Sequence, residues 1–305
     1  MKQLLLLALP FFASFTAFAQ INLEDSTVQV IGYWDKNETQ TYIITNEKYR
    51  VSGTDTTQRE FVTYEVDITI TDSTANSYTI EWLYRNINPG TDNPFARKLA
   101  GISENMKVII KTNEMGAFKE VVNWKEIRDE IKKTTGLLRK EFKHIPQIDE
   151  VVAKVESMFS TKEAIQAQAI KDVQQFYTYH GGNYALGEEV NGNLPITNLL
   201  GGKPFNSEVT ILLDEINAED NNAILRMWQT IDSKELTDVT YAFLKQNAVK
   251  AGTPFPARDK FPTLQNNTTT DARIHGSGWI IFSRETKEVT TEGALAFEER
   301  IIEIK

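Results

Sequence analysis

The sequence predicts an α+β protein in which a large curved antiparallel sheet, built as a meander, packs against a central group of helices and a shorter second helix. Apolar and polar residues alternate through residues 62–71 and 78–84, which is the pattern of strands with one buried face. Apolar residues then recur at helical spacing between Trp124 and Tyr179. Strands return after residue 183 with one more helix, an order that argues against alternating parallel units.

The N-terminal part, residues 28–122, reads as the meander. Residues 28–33 and 39–51 are rich in β-branched and aromatic residues, which favour strands. The two alternating segments follow, and residues 88–94 contain the Asn, Pro and Gly of a loop. The apolar side of each strand is expected to face the helices, and the opposite side to face water.

The best-defined local unit runs from residue 105 to residue 133. Residues 106–112 and 118–122 predict two strands, and Asn113 and Gly116 between them suit a tight turn. Asn123 then stands where a helix N-cap belongs, and Glu126 three residues later would complete a capping box. This unit is the expected hinge between the meander and its helical cover.

The helical section is predicted over residues 123–180. Residues 134–136 are expected to break the first helix, and Ile148 begins another strong apolar face. Ser160 with Glu163 resembles a capping box that opens the last helix. Gly181 and Gly182 are expected to end that helix.

The C-terminal part, residues 183–305, predicts strands and one helix. Residues 194–205 contain two prolines and two glycines, so an irregular loop is expected there. Residues 223–231 suit a strand or a helix, and a strand is preferred. Ser233 is the expected cap of a helix that ends at Gly252. A closing hairpin is predicted to turn at residues 284–287.

The N-terminus predicts export. Lys2 precedes an apolar run, and Ala17-Phe18-Ala19 has the small residues of a cleavage site. Residues 1–19 are therefore read as a signal peptide cleaved after Ala19, and residues 20–305 as a single α+β domain. The alternative, an uncleaved anchor, is disfavoured because the run is short and contains Pro10. The chain has no cysteine, so the mature protein is not expected to be a lipoprotein.

Charge and composition limit the classes of partner that the protein is expected to bind. The formal net charge is −9, which argues against binding nucleic acid or a generic anionic membrane. Without cysteine, the stability of an exported protein must come from its core. No later apolar run is long enough to cross a bilayer, so no transmembrane segment is expected in the mature chain.

No catalytic, metal or cofactor site is predicted. His144, His180 and His275 lie far apart in the sequence, and each is read as a surface or capping residue because metal sites need partners at set spacings. Ser277, two residues after His275, lacks the spacing and the strand-to-helix context of a nucleophile elbow.

The acidic clusters are interpreted as solvated surface. Residues 214–220 lack the alternating oxygen ligands, the glycine and the distal Glu of a calcium loop. Glu298, Glu299 and Glu303 are read as the wet face of a strand. The paired glycines at 181–182 and 201–202 do not match a phosphate loop.

Several local patterns resemble a family of exported bacterial proteins of uncharacterised function. These are Asn193-Leu194-Pro195 followed by Gly201-Gly202-Lys203-Pro204-Phe205, the strand at 209–215, Thr230-Ile231-Asp232-Ser233, and Gly278-Trp279-Ile280-Ile281-Phe282. The resemblance implies an envelope or secreted location in a Gram-negative bacterium and favours a structural or binding role. It implies no catalytic residues.

The function expected from these observations is binding without catalysis. The partner would be an envelope protein, or an apolar small molecule or lipid held between sheet and helices. Aromatic residues of the first sheet are expected mainly to fill the core, but they also suggest an apolar ligand pocket. Its candidate residues are Tyr64, Trp82, Tyr84, Trp124, Ile127 and Ile131. A lipid carrier would have a closed apolar cavity behind the three helix residues. The alternatives are an envelope hydrolase and a structural or adhesion module.

Overall fold

The computed structural model describes residues 20–305, so the predicted signal peptide, residues 1–19, lies outside the described residues. The strands in chain order are β1 (Ile21–Asn22), β2 (Thr27–Gln29), β3 (Thr39–Ser52), β4 (Asp55–Thr74), β5 (Ser77–Asn88), β6 (Lys107–Thr112), β7 (Phe118–Val121), β8 (Asn183–Ala185), β9 (Glu189–Ile196), β10 (Phe205–Asn217), β11 (Asn222–Ile231), β12 (Gln265–His275), β13 (Ile280–Thr291) and β14 (Ala294–Ile304).

The α-helices are α1 (Pro94–Ala100), α2 (Trp124–Glu141), α3 (Ile148–Met158), α4 (Lys162–Ala164), α5 (Lys171–Phe176) and α6 (Ser233–Ala251). A π-helical turn, Ile165–Ala169, connects α4 to α5. Short 3₁₀ turns cover Gly101–Ser103 and Arg258–Lys260. Within residues 20–305, no helix combines the length and the apolar composition that crossing a membrane requires.

One antiparallel sheet of eleven strands organises the fold. Its order is β7-β6-β5-β4-β3-β14-β13-β12-β11-β10-β9, so the C-terminal strand pairs with β3 and joins the N-terminal meander to the C-terminal strands. Strands β1, β2 and β8 form a second, three-stranded sheet. The predicted α+β class with a large curved antiparallel sheet is confirmed.

The alternation in the sequence is reproduced in the sheet. Side chains on the helix-covered face of β3, β4 and β5 are completely or almost completely buried, among them Tyr42, Ile44, Val66, Ile68, Ile70, Ile80 and Trp82. The opposite face is polar, and cross-strand ion pairs join Arg85 to Asp67 and Lys107 to Glu81 there. One face of these strands is therefore core and the other faces water.

Helix α2 differs from its prediction at both ends. The Asn123 side chain does not cap the helix; it pairs with the backbone of β6, accepting from Ile109 N at 2.8 Å and donating to Lys107 O at 2.9 Å. The predicted break at residues 134–136 was wrong, because the helix continues to Glu141. Thr135 is buried there, and its hydroxyl lies 2.8 Å from both Ile131 O and Glu156 Oε1.

One helix was not predicted, and the start of another was misplaced by one residue. Residues 88–94 predicted only a loop, but Asn93 caps α1 by accepting hydrogen bonds from Phe95 N and Ala96 N. The cap of α4 is Thr161 and not Ser160. At α4, Ser160 and Thr161 have the same capping chemistry, and Thr161 accepts the hydrogen bond from Ala164 N.

The last strands turn elsewhere than expected. Residues 284–287 lie within β13, because Arg284 pairs with Asp271 on β12 and Glu285 pairs with Arg300 on β14. These cross-strand ion pairs stabilise residues 284–287 as part of a strand. The chain reverses instead at Gly293, which has a positive φ of 76°.

A further difference between the prediction and the structure lies at one edge of the sheet. Residues 189–196 form β9, which among the strands of residues 20–305 pairs with β10 alone, although Pro195 led us to expect a loop from residue 194. Proline is tolerated on an edge strand because one side of that strand needs no donor. The predicted strand at 223–231 is confirmed as β11, and α6 is capped by Asp232 instead of Ser233.

Candidate functional site

A cleft of about 360 Å³ opens between the helix-covered face of the sheet and the helices, and we call it the sheet–helix cleft. Its floor comes from β3, β4, β5 and β14, and its walls from the turn after α1, from α3 and from the π-helical turn and α5. The lining residues are Asn46, Lys48, Glu60, Val62, Tyr64, Tyr84, Ile87, Ala100, Ser103, Met106, Met158, Gln168, Ala169, Lys171, Asp172, Glu298 and Arg300.

Aromatic packing fixes the position of α5 on the sheet. Phe176 at its end meets Tyr42 and Trp82 edge to face, with ring centroids 5.3 and 5.4 Å apart. All three side chains are completely buried. This packing fixes the polar residues on the preceding turn of α5 over the strands β3, β4 and β14.

Asp172 is a buried carboxylate at the base of the cleft. It accepts hydrogen bonds from the Tyr64 hydroxyl at 3.0 Å and from its neighbour Val173 N at 2.9 Å. Tyr84 adjoins the same carboxylate, but its hydroxyl makes no hydrogen bond of normal geometry. Burial raises the pKa of Asp172, and the charge of Arg300 and the hydrogen bonds offset only part of that rise.

Arg300 is the buried cation of the same site, with a side chain that is only 6% exposed. Its Nη1 lies 3.0 Å from Glu285 Oε1 and 3.4 Å from Gln175 Oε1. Burial acts to lower the pKa of Arg300, but the negative groups around it, Glu285 first, raise it overall. The guanidinium is therefore held in place by both β13 and α5.

Glu298 is shared by three cations. Its Oε1 lies 3.0 Å from Lys48 Nζ, 3.6 Å from Lys171 Nζ and 3.7 Å from Arg300 Nη2. Burial acts against ionisation, but these cations lower the pKa of Glu298 to about 2. The Glu298 carboxylate is thus the shared ion-pair partner of all three cations.

The lining of the cleft is also apolar in part. Its apolar residues are Val62, Ile87, Ala100, Met106, Met158 and Ala169. Methionine side chains are flexible and adapt to ligands of irregular shape. The cleft is therefore amphipathic, because its lining contains both charged and apolar side chains.

Of the six residues predicted for a ligand pocket, only two line the cleft in the structure. Tyr64 and Tyr84 line the sheet–helix cleft. Trp82 lies beneath it, fully buried against Phe176. The helix residues Trp124, Ile127 and Ile131 belong to the core on the side of β6 and do not line the cleft.

The closed cavity expected for a lipid carrier is not found behind those helix residues. Ile127 and Ile131 are each 1% exposed within the packed core, and Trp82 fills the space beneath α5. The available space is an open cleft beside this packing. The sheet–helix interface therefore offers a groove at its margin instead of an enclosed chamber.

The prediction that His180 is a surface or capping residue was wrong. Its ring is buried between Trp34, Phe176 and Tyr177, and Nε2 lies 2.8 Å from Gly278 O. Burial lowers the pKa of His180 to about 4, against smaller opposing effects of two backbone carbonyls. This histidine belongs to the core and lies outside the cleft.

We expect the stability of the folded protein to fall as the pH falls from 6.5 toward 4. The unfolded state takes up a proton at His180 near pH 6.5, whereas the folded state resists it until about pH 4. The contribution is complete above pH 6.5 and is lost progressively below it, by about 3 kcal/mol at pH 4. Urea unfolding at several pH values measures this loss.

Two histidine variants separate this effect from other titrations. His180→Gln should lose most of the slope between pH 6.5 and 4, whereas His144→Gln, at an exposed position, should follow the wild type. An unchanged slope in His180→Gln would contradict the assignment.

The remaining polar residues that were considered as site candidates stabilise local turns and strand pairs. His275 Nδ1 lies 2.8 Å from Ser277 Oγ and accepts from Ser277 N at 3.1 Å, which closes a tight turn. In the acidic cluster, Asp214 pairs with Arg226, and Asp220 N donates to Asn217 Oδ1. Across residues 20–305, no group of three or more His, Asp or Glu side chains is placed to hold a metal.

The fold and the cleft define an α+β protein with an amphipathic cleft between a broad antiparallel sheet and its helices. No protein-family model matches the chain, and no curated protein matches it. Among solved structures it is similar to a chain described as "lipid-protein interactions in lipovitellin", with a TM-score of 0.38 and 10% identity over 89% of this chain. The match spans 25% of that chain, and a likeness this low assigns no function.

Sequence reasoning missed the charged residues of the cleft. Lys171, Asp172 and Arg300 were not singled out, and Glu298 was read as solvated surface. One signal was available: Arg300 follows the alternation of β14 on the same side as Ile302. A charge in phase with core residues predicts a buried partner.

Proposed function

We propose that this protein is a non-enzymatic binding protein that holds one small amphipathic molecule in the sheet–helix cleft. The observation that carries the proposal is that the lining of the cleft combines apolar side chains with buried charged groups. A volume of about 360 Å³ lies at the small end of the usual range for ligand pockets, which is about 300–1,000 Å³.

The rigid base of the cleft supports binding. Asp172 and Arg300 are buried, and Glu285, Gln175 and Tyr64 hold them by hydrogen bonds. Groups fixed in this way lose little conformational entropy when a ligand arrives. The polar end of the ligand would meet these groups, and its apolar part would lie against Met106 and Met158.

We place this function outside the cytoplasm. The leader ending at Ala19 supports export, and the resemblance noted in the sequence supports the envelope of a Gram-negative bacterium. In the periplasm or outside the cell, such a protein would carry or sense an amphiphile such as a lipid.

The second candidate is binding of an envelope protein at the edge strand β9. Val190 and Leu194 on this strand are 48% and 49% exposed, and an unpaired edge can accept another strand. Replacing Gly192 by proline should abolish such pairing. Unchanged co-purification of envelope proteins with this variant would exclude the edge strand.

Filling the cleft beside its apolar lining residues is expected to weaken amphiphile binding strongly. Ala100→Trp places a large side chain where the cleft is lined by a methyl group, so a fluorescent fatty acid should bind at least about tenfold more weakly than to the wild type. Ala242→Trp, at an exposed position on α6, is the matched control and should bind like the wild type. Equal affinity in both variants would contradict the proposed site.

A further inference from the structure

The sheet–helix cleft adjoins a second cleft of about 390 Å³, which we call the cationic cleft. The two clefts share Lys48, Glu60 and Glu298. The lining residues of the cationic cleft are Lys48, Tyr49, Arg50, Gln58, Glu60, Lys154, Lys287, Val289, Ala296, Phe297 and Glu298. The lining thus contains four cationic side chains and two acidic ones.

Strand register explains why these charges meet. Lys287, Glu298, Lys48 and Glu60 are consecutive cross-strand partners on β13, β14, β3 and β4. They form one row across the middle of the sheet, on its helix-covered face. Arg50 extends the positive charge along β3, and α3 contributes Lys154 from the opposite wall.

The positive charges are not balanced within the protein. Among the described residues, Arg50, Lys154 and Lys287 make no ion pair, and Glu298 is already shared by three cations. Burial and the nearby charges of Lys48 and Lys287 lower the pKa of Lys171, against the opposing effect of Glu298.

This excess is unusual in a chain whose formal net charge is −9. Like charges that converge in a concave site repel one another, and a bound anion removes that repulsion. A tetrahedral group with several oxygens can accept hydrogen bonds from donors on three sides at once. The donors here come from β3, β13 and α3.

We propose that the cationic cleft binds a phosphate group, so that the occupant of the two clefts is an amphiphile with a phosphate head. This inference rests on the proposed function for its apolar part only. A phosphomonoester carries a charge of about −1.5 to −2 at neutral pH, which matches the excess of two cations over acidic residues lining the cleft. The shared chemistry is the phosphate, whether on a lipid or on a free compound.

The test is a titration of the wild type with three probes, of which the two amphiphiles are kept below their micelle concentrations. They are lysophosphatidic acid, a monoacylglycerol with the same acyl chain, and inorganic phosphate. We expect lysophosphatidic acid to bind at least about tenfold more tightly than the monoacylglycerol, with a preference that shrinks as salt is added. Inorganic phosphate should compete with lysophosphatidic acid.

The variant that tests the residues is Arg50→Gln, Lys154→Gln and Lys287→Gln combined. These side chains make no ion pair, so the fold should survive their replacement. The preference for lysophosphatidic acid should disappear, while affinity for the monoacylglycerol stays unchanged. Lys203→Gln, which removes one charge from an exposed loop residue, is the control and should behave as the wild type.

The outcomes separate the two proposals. Equal affinity of the wild type for both amphiphiles would overturn the phosphate site and leave the proposed function intact. A preference that persists in the triple variant would also overturn it. If inorganic phosphate binds the wild type but not the triple variant, and neither amphiphile binds, the phosphate site stands and the amphiphile function fails.

Discussion

Replacing Trp82 by alanine is expected to lower the free energy of unfolding by about 4 kcal/mol. Trp82 is completely buried at the centre of the contact between α5 and the sheet. Its ring lies 5.4 Å from that of Phe176 and 6.2 Å from that of Tyr177, centroid to centroid. The substitution removes apolar burial and leaves a cavity that these neighbours can fill only in part.

Urea unfolding of this variant should be compared with that of Trp228→Ala. Trp228 is 41% exposed on the opposite face of the sheet, so its loss should lower the free energy of unfolding clearly less than the loss of Trp82. Equal losses in the two variants would show that Trp82 is not at the centre of the core.

Replacing Arg300 by leucine is expected to cost about 3–5 kcal/mol of stability. The change leaves Glu285 without its ion-pair partner and removes one of three cations beside Glu298. A buried charge that loses its partner costs more than the pair contributed. Thermal or urea unfolding at neutral pH measures the effect.

Two further variants identify the cause. Arg284→Leu removes an exposed arginine that pairs with Asp271 from the neighbouring strand, and should cost at most about 1 kcal/mol. Combining Arg300→Leu with Glu285→Leu removes both partners and should recover part of the loss. A double variant less stable than Arg300→Leu alone would mean that the stability comes from side-chain packing, not from the charge pair.

The sheet could be predicted because its strands alternate so regularly. Val66, Ile68 and Ile70 face the core while the residues between them face water, and a shift by one residue would exchange the faces. The order of the strands could not be predicted from the sequence, because the pairing of β14 with β3 joins residues about 250 positions apart. Local pattern contains no information about such contacts.

Helix ends were less predictable than helices. Asn123 has the chemistry of a cap, yet its amide pairs with the backbone of β6. The break expected near Thr135 disappears because that hydroxyl finds partners inside the helix and on α3. In each case a tertiary contact outweighs a local preference.

The cleft itself was predictable only in part. Tyr64 and Tyr84 were named because they are aromatic residues of the first sheet, and both line the cleft. The charged residues were missed because Asp172 and Arg300, 128 positions apart in the sequence, meet only through the packing of α5 on β14. Separate single charges in a sequence do not indicate that they converge.

Native mass spectrometry of the protein purified from its own host tests the binding function most directly. A second sample is first incubated with lysophosphatidic acid. We expect the wild type and Ala242→Trp to carry one additional small molecule that denaturation releases, and Ala100→Trp to carry none. If the wild type carries no additional mass in either sample, or if Ala100→Trp carries the same mass as the wild type, the sheet–helix cleft is not a ligand site.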